Sequence, residues 1–264
     1  MTNYYSNKII WITGASSGIG RALAIELSSR NATVLLSSRN REELKITQSL
    51  LSFPENSYVL QMDMTNSNEI KTAFEEVISK YGKVDVLINN AGLSQRSKIL
   101  DTNFEVYRKL MEVNYFGTIY LSKLILPEMI KQGSGQIIVL SSLAGKLGAS
   151  LRSGYSAAKH ALHGFFDCLR VEHQKDKIKV NIVCPGFTKT NIARNAMNES
   201  GQTNSKKDTE IENGMDPNLL AIKILNVAEA NKFESYFGGK EKFAVLLKRF
   251  FPKLLHRILV KNNK

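Results

Sequence analysis

Two side chains able to do acid–base chemistry, Tyr155 and Lys159, lie four residues apart in the stretch YSAAK. In a helix, this spacing places both on one face. A phenol ordinarily titrates near pH 10, and a neighbouring ammonium favours the phenolate. Lowering the phenol pKa by about 3 units corresponds to roughly 4 kcal/mol of differential stabilisation. We therefore expect Tyr155 to have a lowered pKa and to act as a general acid or base near neutral pH.

A second pattern suits a charged ligand and occupies residues 13–20, with the sequence TGASSGIG. It follows an apolar run and precedes a helical pattern, so its glycines fall at a strand-to-helix corner. Glycine permits a tight turn and close backbone approach, and the free N–H groups of a helix N-terminus attract phosphate. The spacing Gly14-x3-Gly18-x-Gly20 differs from the commoner G-x-G-x-x-G. We interpret this stretch as a cradle for the pyrophosphate of a dinucleotide.

The end of the next apolar run, VLLSSR, indicates which dinucleotide is bound. An acidic residue there would bind the ribose 2′-hydroxyl, and an arginine would accommodate a 2′-phosphate. This chain has no carboxylate at that point and places Arg39 there. Because a guanidinium forms charge-assisted hydrogen bonds with phosphate, the sequence predicts NADP(H) as the cofactor.

These residues require a scaffold of strands that alternate with helices. Apolar runs lie at Lys8–Thr13, Thr33–Ser37, Ser57–Gln61, Val84–Ile88, Gln136–Ser141 and Lys179–Cys184, with amphipathic patterns at about 20–30, 40–52, 67–80, 103–131 and 154–175. Such alternation is typical of βαβ units in a parallel sheet with helices on both faces. We expect one α/β domain, a Rossmann-type, doubly wound parallel sheet in a three-layer α/β/α arrangement.

Composition narrows the class of protein further. The chain has 264 residues, of which 43% are hydrophobic, and its formal net charge is +12. It shows no signal-peptide pattern, and no apolar stretch reaches the ~18 residues that would suggest a membrane-spanning helix, so we expect a cytoplasmic protein. The histidines are scattered and the two cysteines form no cluster, so no metal site is expected. Cys168 and Cys184 both lie in apolar sequence and are interpreted as buried thiols.

The patterns above, together with three further motifs, resemble the short-chain dehydrogenase/reductase family. The further motifs are Asn89-Asn90-Ala91-Gly92, Ser142 thirteen residues before Tyr155, and Pro185-Gly186. The resemblance covers residues 7–190. It implies an active oxidoreductase that interconverts a carbonyl and a secondary alcohol. For the sheet we expect the strand order 3-2-1-4-5-6, with a seventh strand near Phe233–Phe237.

The resemblance implies roles for four catalytic residues. Tyr155 would donate a proton to the substrate oxygen while Ser142 holds that oxygen. Lys159 would bind the nicotinamide ribose and tune Tyr155. Asn114 would hold a water molecule against Lys159.

The resemblance also implies a set of cofactor-binding residues. Within this set, Asp63 is similar to the aspartate that binds the adenine amino group, and Thr188 lies near the position of the nicotinamide carboxamide. The full set is Gly14, Ser16, Ser17, Gly18, Ile19, Gly20, Ser38, Arg39, Asp63, Met64, Asn90, Ala91, Gly92, Val113, Tyr155, Lys159, Pro185, Gly186 and Thr188.

We divide the chain into a catalytic domain, residues 1–239, and a tail, residues 240–264. Within the domain, residues 193–216 are polar, rich in asparagine and nearly without periodicity, which is typical of a substrate lid. The helices that carry Asn114 and Tyr155 also carry small residues. Because relatives pair subunits through these two helices, the resemblance implies a homodimer or homotetramer.

The tail carries eight Lys or Arg residues and one acid, a net charge of +7. Apolar residues recur in it at helical spacing with basic residues opposite, and we expect Pro252 to break the helix near Phe251. Three interpretations stay open: packing on the domain or a partner subunit, an interfacial helix on anionic lipid, or contact with nucleic acid. The last is disfavoured, because no nucleic-acid recognition motif accompanies the charge.

The tail also bears on the substrate, since it resembles that of family members that reduce retinoid- or steroid-like compounds at membranes. We therefore favour a hydrophobic substrate. A 3-oxoacyl-carrier-protein reductase is the alternative among enzymes. A non-catalytic, membrane-associated dinucleotide sensor is the alternative from another class, and the intact catalytic set argues against it.

Overall fold

The computed structural model describes residues 4–203 and 209–261. Within them, seven parallel strands form one sheet in the order β3-β2-β1-β4-β5-β6-β7. The strands are β1 Ile9–Thr13, β2 Thr33–Ser38, β3 Ser57–Gln61, β4 Val86–Asn89, β5 Gly135–Leu140, β6 Ile178–Pro185 and β7 Glu234–Phe237. This order confirms the doubly wound Rossmann-type sheet and the seventh strand.

Helices cover both faces of the sheet. They are α1 Gly18–Ser29, α2 Arg41–Ser49, α3 Ser67–Tyr81, α4 Phe104–Met111, α5 Gly117–Lys131, α6 Ser153–Glu172, α7 Thr209–Glu212, α8 Pro217–Glu229, α9 Ala244–Phe250 and α10 Pro252–Lys261. Helices α1, α2 and α8 pack on one face, and α3, α5 and α6 pack on the other. The arrangement confirms the three-layer architecture.

Alternation along β1 explains how one strand contributes to two cores. Ile10 and Ile12 point into the core beneath α1 and α8, whereas Trp11 points into the core beneath α3, α5 and α6. All three side chains have 0% exposure. Because successive side chains of a strand point to opposite faces, an apolar run is what a strand buried on both faces requires.

The beginning of the chain is fastened to its C-terminal half. The Tyr5 hydroxyl donates a hydrogen bond of 2.9 Å to the main-chain oxygen of Leu225 in α8. The Tyr5 ring is buried in the same core as α1 and α8. Helices α1 and α8 also pack directly on each other.

One cysteine departs from expectation. Cys184 in β6 is buried, but Cys168 in α6 is exposed, so the prediction of a second buried thiol was wrong. Cys168 shares the outward face of α6 with Gly164 and Val171, which are exposed as well. Its apolar sequence neighbours point to the other side of the helix, because sequence proximity does not put residues on one helix face.

The tail forms two helices, and α10 begins at Pro252. This confirms the predicted break, since proline cannot donate the main-chain hydrogen bond that a continuous helix needs. Residues 262–264 of the tail lie outside the described residues. So do residues 1–3 of the expected domain and residues 204–208 of the expected lid, whose described parts include turns and the short α7.

Candidate active site

Strand β5 and helix α6 bring three of the four predicted catalytic residues together. Ser142 follows the end of β5, while Tyr155 and Lys159 lie one turn apart on α6. The Ser142 hydroxyl is close enough to the Tyr155 phenol to favour its ionised form. The Lys159 Nζ lies 5.9 Å from the centroid of the Tyr155 ring and donates a hydrogen bond of 2.7 Å to the Leu140 main-chain oxygen. The geometry places a phenol, a hydroxyl and an ammonium around one point.

The pKa of Tyr155 is raised, so the expected lowering was wrong. Burial raises the pKa of the phenol, and the Ser142 hydroxyl and the positive charge of Arg96 oppose that rise only in part. Burial also lowers the pKa of Lys159 to about 8. Both changes have one cause: removing a group from water disfavours its charged form.

Asn114 lies in a π-helical turn, Glu112–Phe116, that joins α4 to α5. Such turns occur frequently at functional sites. The Asn114 Nδ2 donates to the main-chain oxygens of Leu93 and Leu110, both at 2.9 Å, and its Oδ1 accepts from the Leu93 N–H at 3.0 Å. Both amide hydrogens are therefore used within the protein, and the side chain fixes the segment after β4. The expected role in holding a water stays a prediction.

Gly92 lies against both Asn114 and Lys159. A Cβ atom at this glycine would lie 2.9 Å from the Asn114 Oδ1 and 3.4 Å from the Lys159 Nζ. The predicted Asn90-Ala91-Gly92 segment thus runs directly past the catalytic group. This close approach requires a residue without a side chain.

The glycine turn between β1 and α1 is closely packed. A Cβ at Gly14 would lie 2.8 Å from the Cα of Ala91, and one at Gly20 would lie 2.2 Å from the oxygen of Gly14. The Thr13 Oγ1 accepts hydrogen bonds from the N–H groups of Asn90 and Ala91, each at 3.0 Å. These hydrogen bonds tie the turn after β1 to the turn after β4, next to the N-terminus of α1.

A cleft of about 980 Å³ opens above these turns. Most of the predicted cofactor-binding residues line it, namely Gly14, Ser16, Ser17, Gly18, Ile19, Ser38, Arg39, Asp63, Met64, Asn90, Ala91, Gly92 and Val113. The predicted residues outside this lining are Gly20, Tyr155, Lys159, Pro185, Gly186 and Thr188. Gly20 lies under the turn against Gly14, and the others belong to the catalytic helix and the end of β6.

The structure adds cleft residues that the sequence reasoning missed. Arg41 lines the same end of the cleft as Arg39. Its position two residues later in SSRNRE was the available signal. Thr190 also lines the cleft, and its Cγ2 would lie 3.0 Å from a Cβ at Gly18. No sequence pattern marks Thr190, because its approach to the glycine turn is a tertiary contact.

The loop after β6 is held by the end of β7. The Gly186 N–H donates to the main-chain oxygen of Phe237 at 2.6 Å, and the Thr188 Oγ1 donates to the oxygen of Gly186 at 3.3 Å. Ser142 contacts the same loop, since its Oγ lies 3.4 Å from the Pro185 oxygen. Pro185 therefore contacts Ser142 directly, and Gly186 and Thr188 continue the same loop. Over residues 4–203 and 209–261, no group of three His, Cys, Asp or Glu residues is arranged to hold a metal ion.

The chain belongs to the short-chain dehydrogenase/reductase family, since the family model for short chain dehydrogenases matches residues 8–201. Dehydrogenase/reductase SDR family member 7B from Mus musculus is 36% identical over 256 residues, which cover 95% of this chain and 76% of that protein. The protein is therefore an oxidoreductase of this family.

Two solved structures share the fold. A short-chain dehydrogenase from Burkholderia cenocepacia in complex with NADP has a TM-score of 0.79 and 24% identity, covering 98% of this chain and 99% of that one. A short-chain dehydrogenase/reductase from Burkholderia phymatum in complex with NAD has a TM-score of 0.84 and 22% identity, covering 96% of each chain. Both likenesses extend over nearly the whole chain, and they establish that the fold is shared.

Proposed function

We propose that this enzyme is an NADP(H)-dependent carbonyl reductase or alcohol dehydrogenase acting on a hydrophobic substrate. The observation that carries the proposal is the juxtaposition of Ser142, Tyr155 and Lys159 next to a cleft that is lined by Arg39. The cleft suits a dinucleotide, because it has a volume of about 980 Å³ and is lined by Gly14, Gly18 and Ile19 at the N-terminus of α1, where a pyrophosphate would be held. When bound there, the dinucleotide supplies or accepts a hydride.

The protonation of the catalytic residues suits carbonyl reduction. Burial raises the pKa of Tyr155, so the phenol holds its proton at neutral pH and donates it to the substrate oxygen. Ser142 holds that oxygen through its hydroxyl. Lys159 is charged below about pH 8, where it stabilises the phenolate left on Tyr155 and binds the nicotinamide ribose.

Two exposed guanidinium groups support the preference for NADP(H). Arg39 and Arg41 both line the end of the cleft beyond β2. Two acids, Glu42 and Glu43, also line it, but the Glu43 carboxylate forms an ion pair with Arg21 at 2.7 Å. A 2′-phosphate therefore meets a pair of cations next to Ser38.

The test is NADPH oxidation by the purified protein, followed at 340 nm. The carbonyl panel contains a 3-oxoacyl thioester, a steroid ketone, retinal and a small quinone. We expect NADPH-dependent turnover that Tyr155→Phe abolishes while NADPH binding is kept, because the variant lacks only the acidic proton. NADH and Tyr107→Phe are the controls, since Tyr107 lies on α4 outside the catalytic set. Near-wild-type turnover by Tyr155→Phe would overturn the assignment.

The same panel separates the alternatives. A 3-oxoacyl-carrier-protein reductase reduces the thioester and not the lipid-like carbonyls. A dinucleotide sensor binds NADPH without turning over any carbonyl. Leu93, Leu143 and Phe187 are the apolar residues that favour a hydrophobic substrate, since Leu143 follows the catalytic serine and Phe187 precedes Thr188.

The tail supports a peripheral contact with an anionic membrane. Within residues 240–261, one large apolar side chain, Leu255, is buried, whereas eight are exposed, namely Phe243, Leu246, Phe250, Phe251, Leu254, Ile258, Leu259 and Val260. Packing on the domain therefore leaves most of the apolar face uncovered. Basic residues accompany that face along both helices, as required for binding at anionic lipid. No helix in the described part of the chain is long and apolar enough to cross a bilayer.

We also propose pairing of subunits through α5 and α6, as a homodimer or homotetramer. Phe116, at the start of α5, is 46% exposed, and Val171 on α6 is 76% exposed. Gly164 on α6 has nothing within 4 Å of an added Cβ, so its face is open to close approach. Burying these apolar groups against a second copy removes them from water.

A further inference from the structure

Behind Ser142, four polar side chains form a series of contacts that the proposed reaction does not use; Ser141 and His163 are buried, and Lys146 and Glu234 are partly exposed. The Ser141 Oγ lies 3.2 Å from the main-chain oxygen of Lys159 and 3.0 Å from the His163 Nε2. The His163 Nδ1 lies 3.2 Å from the Glu234 Oε2. That same carboxylate oxygen accepts from the Lys146 Nζ at 2.8 Å. His163 is 7% exposed, so the series runs through the interior.

Each member of this network is attached to a different part of the site. Ser141 directly precedes Ser142, and Lys146 closes the turn that follows Ser142. His163 lies one helical turn beyond Lys159 on α6. Glu234 begins β7, whose other end holds the loop after β6. The network therefore joins both sides of the catalytic serine to the catalytic helix and to the last strand.

The number of hydrogen atoms available on Ser141 and His163 limits which group can donate in each contact of this network. Ser141 has one hydroxyl hydrogen, and its main-chain contact requires that this hydrogen go to the Lys159 oxygen. Because the Glu234 carboxylate only accepts, the His163 Nδ1 donates to it, while the Nε2 faces the Ser141 hydroxyl. The other charged or titratable groups around the ring are Lys146, Cys184 and, on the same helix, Lys159 and His160.

The order serine, histidine, glutamate resembles a hydrolytic triad, but the surroundings exclude that role. Ser141 is 5% exposed and its hydroxyl hydrogen is already donated to main chain. The only sulfur nearby, Cys184 Sγ, lies 3.8 Å from the His163 Nε2, and burial raises the pKa of this thiol to about 12. Neither side chain is an available nucleophile at neutral pH.

We propose that His163 and Glu234 are positioning residues, which hold Ser142 and Lys159 at the distances that proton transfer requires. This inference rests on the proposed function and names residues outside the catalytic set. Glu234 anchors the network, since its hydrogen bonds from His163 and Lys146 outweigh burial and lower the pKa of its carboxyl group. Misplacement of reacting groups by about 1 Å can cost on the order of 100-fold in rate, so small shifts matter here.

The first readout is kinetic. We expect His163→Ala to lower kcat by roughly 10- to 100-fold and to change the Kd for NADPH by less than about 3-fold, because Lys159 is one of many residues that would hold the dinucleotide, whereas proton transfer depends on its exact position. His163→Gln retains a donor and an acceptor at this position and restores part of the rate. The control is His173→Ala, which removes a histidine at the end of the same helix that pairs with Asp176 at 2.8 Å.

The second readout needs no substrate. The pKa of the Tyr155 phenol is measured by titration at 295 nm, as the absorbance difference between each protein and the same protein with Tyr155→Phe. This pKa depends on how Ser142 is placed against the phenol. We expect the phenol of the NADPH-loaded His163→Ala protein to titrate at higher pH than the wild type, and that of His173→Ala to be unchanged. If His163→Ala does not fold, Glu234→Gln is used instead, because it removes the same anchor.

The outcomes separate this inference from the proposed function. A wild type that reduces no carbonyl of the panel overturns the proposed function, and the Tyr155 titration alone then decides the positioning role. Unchanged kcat and unchanged titration in His163→Ala overturn that role. So does an equal loss in His173→Ala, because the effect then reflects general destabilisation of α6. Non-additive effects of His163→Ala and Glu234→Gln in the double variant support the positioning role, because they show that the two residues act as one unit.

Discussion

At Tyr155 and Lys159, burial favours the uncharged form of both side chains. For the phenol this is useful, since a protonated Tyr155 is the acid that carbonyl reduction needs. For the ammonium it has a cost, because Lys159 must stay charged in an environment that disfavours the charge. The enzyme therefore holds a catalytic group that weakens the cofactor-free fold.

Replacing Lys159 by Met should stabilise the cofactor-free protein. The pKa of Lys159 falls from 10.5 to about 8 on folding. A difference of about 2.5 pH units corresponds to roughly 3 kcal/mol of unfolding free energy. This cost is fully present below pH 8 and disappears as pH rises from about 8 to 10.5 and the unfolded chain also loses the proton.

Urea unfolding of the wild type and Lys159→Met at pH 7 and pH 10 measures this effect. We expect the variant to be more stable at pH 7, by an amount that shrinks at pH 10, and to lack turnover. Lys131→Met is the control, because that side chain lies exposed at the end of α5. A stability gain that is the same at both pH values would contradict the desolvation argument.

At the scale of elements, the connection between β1 and α1 has little room for change. Replacing Gly20 by Ala would place a Cβ 2.2 Å from the Gly14 oxygen and 2.5 Å from the Asn90 Nδ2. Relieving such an overlap typically costs 1–3 kcal/mol. Because the turn must move, we expect a lower midpoint of thermal unfolding together with an NADPH affinity reduced by at least about 10-fold.

Gly148→Ala is the matched control for this prediction. Nothing lies within 4 Å of an added Cβ at Gly148, and its φ is not in the left-handed region. Thermal unfolding and fluorescence titration with NADPH should leave it close to the wild type. Equal behaviour of the two variants would show that the close packing at Gly20 is not important.

The scaffold could be predicted from sequence because its signals are local. Apolar runs mark strands buried on both faces, and Pro252 marks the break in the tail. What could not be predicted depends on tertiary surroundings. The sequence shows one continuous helical pattern around Asn114, but the structure has a π-helical turn there. Burial raises the pKa of Tyr155, whereas the sequence predicted that it would be lowered.

The candidate site residues also differ in whether a local sequence pattern marks them. Tyr155 and Lys159 were recognisable because they lie four residues apart in the sequence, and Ser142 because it lies thirteen residues before Tyr155. His163 carried no signal, because its partners Ser141 and Glu234 lie 22 and 71 residues away. Such a network becomes visible only when the sheet brings β5, α6 and β7 together.

At the scale of the whole molecule, charge and exposed apolar surface coincide in the tail. We expect the protein to sediment with vesicles of phosphatidylcholine and phosphatidylserine, but not with phosphatidylcholine alone. The double substitution Leu254→Asp and Ile258→Asp should abolish this binding, since both side chains are more than 40% exposed and a buried carboxylate opposes insertion. Raising the salt concentration should weaken it, because exposed charges are screened.

The control for the tail is Leu50→Asp, which changes an equally exposed leucine at the end of α2. It should bind the vesicles as the wild type does. Binding that survives the double substitution, or a wild type that never sediments with anionic vesicles, would exclude the tail as a lipid-binding element. Sedimentation at several protein concentrations separates lipid binding from self-association.

Helix α1 packs on α8 and Tyr5 donates a hydrogen bond to Leu225, so residues made early in synthesis contact residues that are made late. About 190 residues separate the end of α1 from the start of α8. At roughly 5–20 residues per second, the ribosome needs on the order of ten to forty seconds to make them. During that interval α1 can pack on β1, β2 and α2, but the part of its apolar face that contacts α8 stays uncovered until α8 emerges near the end of synthesis.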